Sequence, residues 1–264
     1  MIGKLLFRGM IAGIVAGAIT FVFAHHFAEP QVERAIAFEE HGGGHAHGGD
    51  AHGGDAHAHG HSHGDDSEGD GEAFSRQTQS GVGLLAGMML MGAALGGGLA
   101  LIWAFSYQRV GPFGPRTLAL LLALGGFLAL SVMPGIKYPP NPPAVGNPDT
   151  IGYRTALYFI MLLVSVGIIA VSAWCARRLL PRLGGWNAAL SACLLGVILL
   201  LAACALLPAI NDVPKAFSAD LLWRFRLSSI GINFVLWAGI GVMFGALAEN
   251  MLPACRQRMS FGHG

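Results

Sequence analysis

Charge is what this chain lacks most. Only 12% of its 264 residues are Asp, Glu, Lys or Arg, about half the ~25% of a typical soluble domain, while 53% are hydrophobic. That balance excludes an ordinary water-soluble fold, and a net charge of +1 gives no sign of a nucleic-acid partner. Cysteine is nearly as scarce. Cys175, Cys193, Cys204 and Cys255 include no CxxC pair, which removes zinc ribbons and thioredoxin-like chemistry and leaves inert thiols. No GxxxxGK[ST] stretch occurs, so the chain does not hydrolyse ATP through a phosphate loop. The apolar runs carry no charged residue near their middles, which removes the carboxylate relay of a proton-coupled pump. Histidines close to those runs are limited to the adjacent pair His25 and His26, so the facing imidazoles of a membrane haem protein are missing too. The expectation is a non-enzyme without a tightly bound cofactor.

Long apolar runs, in contrast, are plentiful. A bilayer core about 30 Å thick takes roughly 20 apolar residues in a helix. Six runs qualify: about 9–28, 81–107, 117–134, 154–175, 188–207 and 228–248. The fold class expected is all-α, a polytopic membrane helix bundle of about six transmembrane helices, with a disordered His-rich outer loop. Residues 1–28 form the first transmembrane helix and 29–80 an outer loop. Residues 81–264 hold helices two to six, a Pro-rich outer loop at 134–153, an outer loop at 208–227 and a C-terminal tail. Lys4 and Arg8 before the first run imitate a secretory signal, but His26 stands where cleavage after Ala28 would want a small residue, so the run reads as retained. GxxxG spacings at Gly9, Gly13 and Gly17, at Gly83 and Gly87, at Gly92 and Gly96, and at Gly241 and Gly245 predict close helix contacts.

Orientation follows from Lys and Arg. With the N-terminus on side A, that side holds Lys4, Arg8, Arg109, Arg116, Arg177, Arg178, Arg182, Arg256 and Arg258 in short flanks. The seven others are spread over much longer side-B loops. Side A is therefore expected in the cytoplasm, with both termini, and side B outside a bacterial inner membrane. All the acidic residues except Glu249 fall on side B, giving an outer face that attracts cations.

The first outer loop contains HGGGHAHGGDAHGGDAHAHGHSHGDD, His41 to Asp66, with eight of the chain's eleven histidines. Imidazole is mostly neutral at pH 7 and offers a lone pair to a metal ion. His45 and His47, then His57, His59, His61 and His63, alternate with small residues that let rings converge, and His41 and His52 extend the set. Asp50, Asp55, Asp65 and Asp66 add carboxylates. Such a tract binds first-row divalent metals without choosing among them, since a glycine-rich chain imposes no geometry. Whether it is essential or only concentrates metal stays open. Its neighbour EPQVERAIAFEE, Glu29 to Glu40, groups Val32, Ala35, Ile36 and Phe38 as a short amphipathic helix continuing the first span. The second outer loop has six prolines from Pro134 to Pro148, which stiffen it, and Asn147 before Pro148 reads as a helix N-cap. In the third, Ser218 reads as an N-cap, with Asp220 and Arg224 paired at i,i+4.

EPQVERAIAFEE, the histidine loop, KYPPNPPAVGNPDTIGYRT and LPAINDVPKAFSADLLWRFRL together resemble the CbtA family of predicted cobalt transporter subunits, over nearly the whole chain. The resemblance implies a multi-pass inner-membrane subunit for uptake of cobalt in cobalamin synthesis. It also implies a small single-span, histidine-bearing partner, CbtB. Cobalt comes from the resemblance alone, and nickel fits the same ligands. The family is described with five spans, against the six counted here.

Permeation needs ligands beyond a collector. His25 and His26 close the first span, and Glu29, four residues after His25, is expected on the same helix face. Glu39, Glu40, Asp149, Asn211 and Asp212 emerge on that side. Deeper, Met88, Met89, Met91, Thr20, Ser165 and Asn233 offer soft or neutral ligands, but methionine in an apolar helix is chiefly packing. The metal set expected is therefore His25, His26, Glu29, His41, His45, His47, His52, His57, His59, His61 and His63. Two functions stand: a subunit that translocates a divalent metal, and a membrane-anchored buffer or assembly scaffold that does not. Homo-oligomers fit both.

Overall fold

The computed structural model describes residues 2–42, 78–111, 113–143, 145, 150–210, 213–214 and 217–250, and every regular element among them is helical. Helix α1 (Ile2–Phe23) passes through a π-helical turn, Ala24–Ala28, into α2 (Glu29–Gly42). A second π turn, Gln79–Gly83, leads into α3 (Leu84–Ser106). Helix α4 (Pro115–Phe127) passes through a third, Leu128–Val132, into α5 (Met133–Lys137). Two long helices follow, α6 (Ile151–Leu206) and α7 (Ala219–Glu249). Five helical stretches are long and apolar enough to cross a membrane: Ile2–Phe38, Gln79–Ser106, Pro115–Lys137, Ile151–Leu206 and Ala219–Glu249.

The difference from six runs lies in α6, which takes up two of them. Its 56 residues would extend roughly 84 Å if straight, nearly three times the hydrocarbon thickness. It is not straight. Gly184 has φ 73° and ψ 168°, a conformation essentially confined to glycine, and Pro181 just before it cannot donate the helical hydrogen bond. The two arms fold back on each other. A Cβ placed on Gly196 would lie 3.0 Å from Ser172 Oγ and 4.0 Å from Ile168 Cγ2, and Met161, Ile168 and Ala203 share one buried cluster. Residues equidistant from Gly184 thus meet, as an antiparallel hairpin requires.

Glycine sets the core of the bundle. Cβ atoms added at Gly9, Gly13 and Gly17 would sit 2.4, 1.8 and 2.3 Å from the carbonyl oxygens of Gly96, Gly92 and Met88, so α1 and α3 run antiparallel with backbones in contact. In lipid, where burying apolar surface gains little, this close packing is what holds helices together. Gly241 and Gly245 bring α7 against Ala123, Ala119 and Arg116 of α4. The remaining pair behaves differently: Gly87 meets nothing within 4 Å, and Gly83 meets only Thr78 of its own turn. Around these seams Trp103, Trp237, Ile240 and Phe244 are buried together. The Trp103 indole donates to the Pro115 carbonyl at 3.1 Å and stacks on Tyr107, fixing the α3–α4 turn.

The bundle has two different ends. At the Arg8 end, Arg8 Nη1 donates to the Leu247 carbonyl and Arg116 pairs with Glu249. At the Glu29 end, α2 and two loops form a cap. Ala35, Val145, Phe217 and Leu221 are buried together, and Phe38 packs edge-on against Phe217 at 5.1 Å. Tyr138 Oη donates to the Pro208 carbonyl, Lys137 Nζ to the Cys204 carbonyl and Arg226 Nη2 to Asn141 Oδ1. Ser218 Oγ accepts from the Leu221 amide, capping α7, and Asp220 pairs with Arg224 at 2.8 Å, both as the sequence predicts. Asn147 and Pro148 lie outside the described residues, and α6 starts at Ile151.

Candidate metal-loading site

The Ala24–Ala28 turn decides where the first candidate ligands point. In a π turn the amide bonds five residues back, and the Glu29 N–H donates to the Ala24 carbonyl. Glu29 therefore stacks over Ala24 instead of His25. His25 is exposed, whereas Glu29 is half-buried and borders a cavity that His25 does not line, so the two residues expected on one face have different surroundings. Single π turns of this kind recur at functional sites.

His25 and His26 stay together but face out. Both are exposed, with ring centroids 5.7 Å apart and nearly perpendicular. His25 stacks on Phe21, and His26 Nδ1 lies 3.0 Å from the Val22 carbonyl. That contact assigns the proton to Nδ1, because a carbonyl only accepts, and it leaves Nε2 with the lone pair a metal needs.

Glu29 borders a cavity of about 180 Å³ lined also by Ala24, Ala28, Val32, Leu84, Met88, Phe225, Ser229 and Ile232. The lining is almost wholly apolar, and Glu29, Met88 and Ser229, brought there by the junction of α1 and α2, by α3 and by α7, are its residues with heteroatoms in their side chains. The Ala24–Ala28 turn lines it, and the Gln79–Gly83 turn ends just before Leu84 of its wall. Nothing in the sequence singled out Ser229, since only the crossing of α7 over the α1–α2 junction brings it there.

Deeper in the bundle the neutral polar residues look inward to their own helices. Thr20 Oγ1 donates to the Ala16 carbonyl, Ser165 Oγ to Met161 and Asn233 Nδ2 to Ser229, each four residues back. Met91 is 55% exposed on the bundle surface, away from the cavity. Among the described residues no group of three or more His, Cys, Asp or Glu comes together, and Cys175, Cys193 and Cys204 are free thiols. The His41 side chain and the residues His45, His47, His52, His57, His59, His61 and His63 lie outside what is described, as do the Glu39 and Glu40 side chains, Asp149, Asn211 and Asp212.

No curated protein and no solved structure matches the chain. A family profile described as "Probable cobalt transporter subunit (CbtA)" matches residues 2–249. A multi-pass helical protein, matched from the first described turn of α1 to the last of α7, therefore belongs to the CbtA family of probable cobalt transporter subunits.

Proposed function

We propose that this chain is the membrane subunit of a divalent-metal uptake transporter in a bacterial inner membrane, with cobalt as cargo and nickel as the nearest competitor. The observation that carries the reading is the family match over residues 2–249, joined to a cavity bordered by Glu29, a few residues beyond His25 and His26 in the chain. In this reading the chain crosses the bilayer six times, the two arms of α6 counting separately, and both termini are cytoplasmic. The histidine tract at 41–66 then stands outside and collects metal. His25 and His26 receive it at the surface, and Glu29, Met88 and Ser229 form the first station inside the bundle. Transport energy and the rest of the path come from other subunits, among them a small single-span, histidine-bearing CbtB-type partner.

The test is cobalt accumulation in cells that depend on this protein, at matched membrane abundance. Glu29→Gln is expected to lower accumulation by on the order of tenfold, the scale of losing a group that orients or binds a metal, and the double change His25→Ala with His26→Ala to lower it less. Wild-type accumulation in all of these variants would sink the proposed path.

A second reading, the metal-binding scaffold that translocates nothing, is supported by Thr20, Ser165 and Asn233 satisfying their own helices instead of facing a polar channel. Vesicles containing this chain, with and without the small partner, separate the two. Metal bound without flux in either preparation selects the scaffold.

A further inference from the structure

At the Arg8 end a cavity of about 630 Å³ lies between the start of α1 and the end of α7, walled by Gly3, Lys4, Phe7, Arg8, Ile11, Leu247 and Asn250. Lys4 and Arg8 stand one helical turn apart on it. Arg8 gives one N–H to the Leu247 carbonyl, leaving four of its five guanidinium donors. Among the described residues Lys4 makes no ion pair, and the one acidic residue at this end, Glu249, is held by Arg116. Two cations therefore border a cavity with no acidic residue among those that wall it.

The apolar surface leading away from that cavity says what kind of anion fits. Phe7, Ile11, Val15, Ile19 and Val22 follow one another at intervals of three and four and are 39% to 65% exposed, so they form one stripe along α1 that begins directly beneath Lys4 and Arg8. Its length, fifteen residues at 1.5 Å, is about 22 Å, longer than the ~15 Å of one bilayer leaflet. A free phosphate would use the cations and ignore the stripe. We propose that this cavity is a binding site for an anionic phospholipid, its phosphodiester between Lys4 and Arg8 and an acyl chain along Phe7, Ile11 and Val15. The site rests on the multi-pass membrane fold and is independent of metal.

The full-length chain, purified in detergent, is exposed to phosphatidylglycerol or phosphatidylcholine, and retained lipid is counted by native mass spectrometry. Wild type is expected to retain phosphatidylglycerol preferentially. Lys4→Ala lowers that retention about fivefold, the worth of one interfacial cation, and Lys4→Arg preserves it. Lys4 makes no described contact that the fold needs, and equal melting temperatures without lipid check this. Equal retention of the two lipids, or unchanged retention by Lys4→Ala, overturns the proposal. So does protection against thermal unfolding by inorganic phosphate that equals protection by phosphatidylglycerol, because the ligand would then be the anion alone.

Discussion

At the scale of single residues, glycines with identical spacing do different work. Gly13 and Gly87 both sit in GxxxG pairs, yet a methyl on Gly13 would enter the Gly92 carbonyl at 1.8 Å, whereas a methyl on Gly87 meets open space. Helix propensity favours alanine over glycine at either position by up to about 1 kcal/mol. The signs of the two substitutions should therefore differ. Gly87→Ala is expected to leave the melting temperature in detergent unchanged or slightly raised. Gly13→Ala, which forces α1 from α3, is expected to cost about 1–3 kcal/mol or more and to lower it. A common response from both variants would remove the α1–α3 seam as the organising contact. The candidate ligands teach the same lesson. His25, His26 and Glu29 lie within five residues of one another, yet the imidazoles are exposed while Glu29 borders a cavity.

Among the elements, α6 carries the sharpest demand on sequence. Its two apolar arms are visible as separate runs, but only the backbone at Gly184 converts one 56-residue helix into a hairpin. Gly184 and Gly185 are neighbours with opposite requirements. Gly185 is within 4.0 Å only of the Leu180 Cδ1 atom and accepts a side chain, while the φ of 73° at Gly184 strains any other residue. Gly184→Ala should cost about 1–3 kcal/mol and Gly185→Ala close to nothing, as measured by thermal unfolding. Equal melting temperatures for the two variants would mean that the bend is imposed by Pro181 and by packing. The most apolar part of α6 is also less enclosed than the most apolar parts of the other four long helical stretches. Trp174 and Trp186 near its bend and Trp223 at the opposite end of the bundle are 60%, 77% and 66% exposed, where indoles suit the two interfaces of a bilayer.

For the whole molecule, the hairpin fixes which ends share a side. If each arm of α6 crosses separately, Lys4 and Arg182 face one compartment and Glu33 the other. A straight α6 crossing once would separate Arg182 from that arrangement. In a background with the native cysteines replaced, single cysteines at 4, 33 and 182 are to be labelled with a membrane-impermeant thiol reagent on intact cells. Positions 4 and 182 are expected to be protected and 33 labelled. Labelling of 182 together with 33 would leave five crossings.

The apolar runs, the distribution of Lys and Arg, the Ser218 cap and the Asp220–Arg224 pair could be read in one dimension, because each depends on hydropathy, charge or spacing within a few residues. The family could be read too, from EPQVERAIAFEE and the loops. What one dimension left undecided was which glycines meet and how the helix turns between His26 and Glu29. It also left hidden that Ser229 and Met88 join Glu29, and that Lys4 and Arg8 border a cavity reaching Asn250. Those facts depend on contacts between segments far apart in the chain, and in lipid such contacts are chosen by backbone fit, which no local pattern encodes.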